Sequence, residues 1–126
     1  MLKTYQIILD GKEVGSSRLE KADAPMGVVF GAIDFAKDDW SYDTIKAYCH
    51  SQNIGLAEDY PEDKFIATST IDTLIIKNEK GIEIKGAGNQ IRGMDGEGFE
   101  ISVEGIAYPF YREEFPHHVK EYDEMP

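Results

Sequence analysis

The side chains with the clearest capacity for chemistry are acidic and aromatic residues in two short segments. The first segment contains Asp38, Asp39, Trp40 and Tyr42, and the second contains Glu58, Asp59, Tyr60 and Glu62. Aromatic side chains anchor protein interfaces, and carboxylates steer a basic partner towards them. We therefore predict that these residues form a binding face for a basic protein.

A covalent mechanism would need a nucleophile beside a base, and Cys49 and His50 are adjacent in the sequence. Consecutive side chains on a helix point about 100° apart, so these two would not face each other. Cys49 instead falls on the apolar stripe of its helix, which predicts a small core residue. No serine lies in the Gly-x-Ser-x-Gly context of a nucleophile elbow. We predict no catalytic residues, and the sequence favours a non-enzymatic protein.

A metal site would have to use His117 and His118, which lie near several carboxylates at the end of the chain. Adjacent histidines do not share a helix face, and the region has no cysteine ligand. We predict that both histidines are solvated on a mobile tail. The sequence predicts neither a metal nor a cofactor.

The charge balance restricts the classes of partner. The chain of 126 residues has 24 acidic and 13 basic residues and a net charge of −11. Nucleic-acid binding depends on lysine and arginine replacing counterions, and no basic cluster is present to do this. An anionic membrane surface would repel the chain, and no apolar run approaches the roughly 20 residues needed to cross a bilayer. A basic protein would be attracted.

The length predicts a single domain over residues 1–126. Cys49 is the only cysteine, so an intramolecular disulfide is excluded. The N-terminal residues lack the pattern of a signal peptide, which favours a cytoplasmic location. The chain is similar in size and charge to small acidic bacterial proteins that neutralise basic nuclease toxins. This resemblance of class implies an immunity-like or inhibitor-like role.

One main helix, from about Tyr42 to Gln52, separates the two acidic segments. Ser41 is suited to be its N-cap, because the hydroxyl can accept a hydrogen bond from a first-turn amide. A helix of this length spans only about 16 Å. Residues 57–63 follow as an acidic loop, so we expect the two segments to lie near each other.

The remaining chain predicts an antiparallel-rich α+β domain with about six or seven strands in hairpins. Turns are predicted at Asp10-Gly11, at residues 78–81 and at residues 94–98. Residues 23–35 are predicted to contain a central strand covered on both faces, with Phe30 buried. Residues 112–126 are predicted to be a tail with a short helix or a frayed end.

Two other hypotheses belong to different functional classes. The first is a small-molecule-binding domain or enzyme with a pocket between the sheet and the helix. The second is a homo-oligomer in which an exposed edge strand, Val14 to Leu19, pairs with its mate.

Overall fold

Ten β-strands and three α-helices form residues 3–125, the part of the chain that the computed structural model describes. The strands are β1 Tyr5–Leu9, β2 Lys12–Ser17, β3 Lys21–Asp23, β4 Val28–Ala32, β5 Asp34–Phe35, β6 Leu56–Tyr60, β7 Phe65–Thr68, β8 Leu74–Lys77, β9 Gly88–Met94 and β10 Gly98–Glu104. The helices are α1 Tyr42–Ser51, α2 Phe110–Glu114 and α3 Pro116–Asp123. The predicted α+β class is confirmed, with more strands than expected.

The strands form two antiparallel sheets. The smaller sheet has the order β5-β2-β1-β8, and the larger has the order β3-β4-β10-β9-β7-β6. Both sheets contribute apolar side chains to one core, as the two-residue period requires. In β1 the buried positions are Tyr5, Ile7 and Leu9, and the other buried side chains include Ile101 and Val103 of β10.

The first hairpin turns at Asp10 and Gly11, as predicted. Both residues have positive φ values, 54° and 80°, and this conformation is typical of Asp-Gly in a tight hairpin. The strand that follows is not an open edge along its whole length. β5 pairs with it at Gly15 and Ser16, so the prediction of a free edge from Val14 to Leu19 was wrong over these positions.

Residues 23–35 form a less buried strand than the sequence indicates. β4 lies second from the edge of the larger sheet, and only Val29 and Gly31 point into the core. Phe30 points to the other side and is half-buried, so the prediction that both faces are covered was wrong. Gly27 precedes β4 with a φ of 68°, and a Cβ atom there would lie 2.5 Å from the carbonyl oxygen of Ile106.

The C-terminal segment is ordered through the part that the structure describes. The core includes Tyr111 of α2, Val119 of α3 and Phe115, which lies between the two helices. The Phe115 ring lies 5.5 Å from that of Tyr5, which ties the junction of α2 and α3 to β1. Pro116 occupies the first turn of α3, as predicted. None of the helices within residues 3–125 is long and apolar enough to cross a membrane. The alternation of apolar residues predicts a first strand from Leu2 to Leu9, and Leu2 lies outside the described residues.

Candidate protein-binding face

The start of α1 is fixed by a capping box, which confirms the predicted role of Ser41. The Thr44 amide donates to Ser41 Oγ at 3.3 Å, and the Ser41 amide donates to Thr44 Oγ1 at 2.8 Å. These bonds satisfy amides that the helix itself leaves unpaired. They hold Trp40 immediately outside the first turn.

Trp40 is half-buried and stacks on Phe35, with ring centroids 5.5 Å apart and planes at 11°. Phe35 in turn meets the buried Phe99 edge-on at 6.3 Å. Together with Ile33 and Met94, these rings line an open depression of about 440 Å³. The depression therefore presents an aromatic surface that is supported from behind by the core.

One exposed carboxylate, that of Asp95, lines this depression, and three more lie within two residues of its lining residues along the chain. Asp38 and Asp39 are exposed in the loop before Trp40, and neither forms an ion pair within residues 3–125. Asp95 lines the depression from the β9–β10 turn, and its Oδ1 accepts a hydrogen bond from the Tyr42 amide at 2.8 Å. Glu97 is exposed in the same turn. We call Asp38, Asp39, Trp40, Asp95 and Glu97 the Trp40 face.

Asp95 and Glu97 were not predicted to belong to the site. In the sequence they look like ordinary turn residues, because Asp95 follows Tyr42 by 53 positions. Only the pairing of β9 with β10 and β7 places their turn against the start of α1. An acid beside two glycines in a predicted turn was the only local signal, and it does not identify a binding residue.

Tyr42 and Asp59 come together, but in a structural cluster. The Tyr42 ring is buried, and its hydroxyl donates a hydrogen bond to Asp59. Lys46 Nζ donates to the same hydroxyl at 2.9 Å and pairs with the Asp59 carboxylate at 2.8 Å. The hydrogen bonds from Lys46 and Tyr42 lower the pKa of Asp59. The hydrogen bonds of Lys46 with Asp59 and with the Tyr42 hydroxyl raise the pKa of Lys46. Asp59 therefore links β6 to α1, and its charge is already paired.

The second acidic segment is a strand and a turn, so the predicted loop over residues 57–63 was wrong. β6 pairs with β7 from Leu56 to Tyr60, and the turn that contains Glu62 follows it. Asp59 is paired with the buried Ile66, so its side chain lies on the inner face of the sheet towards α1. Glu58 and Tyr60 point to the opposite, outer face, because side chains alternate along a strand.

The predicted residues are thus divided between two sides of the larger sheet. Asp38, Asp39 and Trp40 lie together at the Trp40 face, and Tyr42 and Asp59 lie behind it. Glu58 and Tyr60 project from the outer face, where Tyr60 is 53% exposed and packs against Phe65 at 5.8 Å. Glu62 is exposed in the connecting turn. A binding role for each of these residues stays a prediction.

The remaining candidates for chemistry are placed as follows. Cys49 is fully buried, and burial raises the pKa of its thiol, which confirms the prediction of a core residue. His118 is also buried, and its Nε2 lies 2.7 Å from the carbonyl oxygen of Leu19. The prediction that both histidines are solvated was therefore wrong. α3 docks the His118 ring against the chain before β3, and His117 is half-buried beside it, with the two ring centroids 4.1 Å apart. Within residues 3–125 no three potential ligands are grouped to hold a metal ion.

Another depression, of about 690 Å³, is open and lies along Ser16, Arg18, Glu20 and Ile33. Its lining residues come from β2, β4 and the segments beside them, and none belongs to α1. This position differs from the pocket between sheet and helix that the small-molecule hypothesis requires.

Comparison with known proteins does not assign the chain to a family. No family model, curated protein or solved structure is significantly similar to it.

Proposed function

We propose that this chain is a non-enzymatic interaction module that binds a basic protein through the Trp40 face. One observation carries the proposal: a half-buried tryptophan lines an open aromatic depression together with the exposed Asp95, and the exposed Asp38 and Asp39 directly precede that tryptophan in the chain. Tryptophan is among the residues most enriched at the energetic centres of protein interfaces. A partner that inserts a lysine or arginine side chain would meet an aromatic surface and nearby negative charge at once.

The electrostatics of the whole chain support the same partner class. A net charge of −11 accelerates the approach of a basic protein, whereas it repels an acidic one. Asp38 and Asp39 keep their charge available, in contrast to Asp59, which Lys46 neutralises. The size and charge suggest an immunity-like or inhibitor-like module within this class.

The alternative of a small-molecule pocket between the sheet and α1 has less support. The depression beside α1 is open, with a volume of about 440 Å³, and its lining includes one hydroxyl residue, Ser41, and one carboxylate, Asp95. Small-molecule sites usually enclose most of the ligand surface and converge several polar groups on it.

Selection of binders from a random peptide library tests which peptide charge and which apolar or aromatic side chain the Trp40 face prefers. We expect the enriched peptides to be rich in lysine and arginine around an apolar or aromatic residue. Trp40 is the only tryptophan, so its fluorescence reports binding of a tryptophan-free selected peptide directly at the face. Enrichment of neutral or acidic peptides, or binding that leaves the Trp40 emission unchanged, would contradict the proposal.

A charge-reversed variant and a matched control locate the binding. Asp38→Lys with Asp39→Lys should abolish binding of the selected peptide, because it reverses two unpaired charges without breaking an ion pair found in residues 3–125. The control is Glu13→Lys with Glu113→Lys, which changes the net charge equally at two exposed positions away from the face. Reversing Asp59 is unsuitable, since it would also break the contact with Lys46.

A further inference from the structure

The outer face of the larger sheet is open to solvent and has a regular arrangement of charges and apolar groups. It contains the side chains that alternate with the buried ones on β4, β10, β9, β7 and β6. Phe30, Phe65 and Ala67 are half-buried on it, and Arg92, Glu58 and Tyr60 are exposed. The face borders the Trp40 face at Met94, which also lines the depression there, whereas Glu58 and Asp59 point to opposite sides of β6.

Two rows of side chains cross the last three strands of this sheet. In the first row, Ala67 of β7 is paired with Arg92 of β9 on one side and with Glu58 of β6 on the other. In the second row, Phe65 of β7 is paired with Met94 of β9 and with Tyr60 of β6. Each row is therefore centred on β7.

The charges of the first row are not paired within the described chain. Arg92 forms no ion pair in residues 3–125 and instead lies 5.6 Å from the Phe65 ring centre. Glu58 likewise has no cationic partner there, whereas Glu100 of β10, the cross-strand partner of Arg92 next to this row, is paired with Lys21 at 2.8 Å. One positive and one negative group are thus left on either side of Ala67, each about one strand spacing, 4.8 Å, away from it.

We infer that this outer face binds a second copy of the chain around a two-fold axis that runs along β7. A rotation of 180° about this axis places β9 of one copy opposite β6 of the other. It leaves the position of each residue along the strand direction unchanged. Arg92 of each copy would then face Glu58 of the other, which gives two equivalent ion pairs. The same axis brings Phe65 against its own mate and Met94 against Tyr60.

The second row supports the same axis independently of the charges. Apolar groups meet apolar groups there, and aromatic pairs contribute beyond their buried area. An isologous contact requires a self-complementary surface, and both rows fulfil that requirement with one axis. Two sheets packed face to face lie about 10 Å apart, a separation that arginine and glutamate side chains can span together.

The contact is small, so the dimer should be weak. The contact covers three strands at about 4.8 Å spacing and five residues at about 3.3 Å rise. The projected flat area is therefore of the order of 250 Å² per copy, without the additional surface of the projecting side chains. Stable interfaces bury about 800 Å² per partner. Net repulsion between two chains of charge −11 acts against association as well. We expect a reversible dimer with a dissociation constant in the upper micromolar range.

Sedimentation equilibrium on the full chain tests this inference, at near-physiological salt to screen the net repulsion. The wild type should change from monomer to dimer between low micromolar and several hundred micromolar concentration. Each of the single variants Arg92→Glu and Glu58→Arg turns both symmetric ion pairs into pairs of like charges. Each should therefore weaken dimerisation roughly tenfold or more. The double variant Glu58→Arg with Arg92→Glu restores opposite charges and should recover the wild-type dissociation constant within roughly threefold.

Arg18→Glu is the matched control, since it makes the same charge change at an exposed residue away from the outer face. It should leave the dissociation constant unchanged, and circular dichroism of every variant verifies that it is folded. A wild type that stays monomeric throughout would overturn the inference. Single variants that dimerise normally, a folded double variant without recovery, or an equal effect of Arg18→Glu would overturn it as well. Asp38→Lys with Asp39→Lys should not change the sedimentation, so this test is independent of the proposed function.

Discussion

Negative charge is used differently at the C-terminal helices and at the Trp40 face. Glu114 of α2 is only 7% exposed, and both of its oxygens are occupied. Oε1 accepts from Asn78 Nδ2 at 2.9 Å, and Oε2 accepts from the Tyr5 hydroxyl at 2.8 Å and from Lys3 Nζ at 3.3 Å. Asp38 and Asp39, by contrast, are exposed and have no ion-pair partner in residues 3–125.

The difference shows that the number of acidic residues does not identify a binding site. Burial alone would raise the pKa of Glu114, but the hydrogen bonds from Asn78, Tyr5 and Lys3 outweigh it and lower the pKa. That carboxylate stabilises the attachment of α2 to β1. The carboxylates that remain available to a partner are the ones that the fold has not already bonded.

The largest expected effect comes from removing the buried carboxylate. Glu114→Ala leaves the Tyr5 hydroxyl and the Asn78 amide buried without their acceptor, and it should cost about 3 kcal/mol of unfolding free energy. Urea denaturation measures this. Glu113→Ala, at the exposed neighbouring position, should leave the stability nearly unchanged. Equal effects of the two substitutions would show that Glu114 does not tie α2 to the sheet.

A fall in pH should gradually remove the stabilisation that the ionised Glu114 carboxylate provides. The pKa of Glu114 is lowered below its usual value of 4.5, so the folded state favours the ionised form. The resulting stabilisation is present above that usual value and is lost as pH falls through the lower pKa of the folded state. The stability difference between wild type and Glu114→Gln should therefore shrink below pH 4.5. A difference that grows with acidification would contradict the assigned direction.

A smaller loss of stability is expected at Ser41, the N-cap of α1 that lies beside the Trp40 face. Ser41→Ala removes the N-cap of α1 and should cost about 1 kcal/mol. Because the cap also holds Trp40 outside the first turn, the variant should shift the Trp40 emission towards longer wavelength. Ser41→Asp retains an acceptor for the Thr44 amide and should preserve both stability and emission. Emission unchanged in Ser41→Ala would mean that Phe35 alone positions the indole.

The smallest effect on stability is expected at the Trp40 face itself. Asp38→Ala with Asp39→Ala removes no hydrogen bond or ion pair described in residues 3–125, so the melting temperature should not change. Asp59→Ala should lower it slightly, because Lys46 and Tyr42 lose their shared acceptor. Thermal unfolding followed by circular dichroism distinguishes the two. A clear drop for the Asp38 and Asp39 variant would assign those residues to the fold.

The parts of the fold that local patterns determine were predictable. Phe99, Ile101 and Val103 alternate with polar residues, and this two-residue period is by itself enough to indicate the buried face that they share. Asp10-Gly11 predicted a hairpin turn because both residues tolerate positive φ. Ser41 predicted the start of α1 through the chemistry of the N-cap.

Features set by distant pairing could not be predicted. β6 is polar because it lies at the edge of its sheet, so its residues resemble a loop until β7 is seen beside them. Asp95 joins the site only through the position of its hairpin. Glu114 and His118 are polar residues in a charged segment, and nothing local indicates that Tyr5 and Leu19 offer them buried partners.

The most direct test of the central claim is calorimetric titration of the chain with a selected basic peptide. The wild type and the variant Glu13→Lys with Glu113→Lys should bind with similar affinity. The variant Asp38→Lys with Asp39→Lys should show no binding while it remains folded. Equal loss of affinity in both charge variants, or full affinity in the Asp38 and Asp39 variant, would contradict a specific Trp40 face.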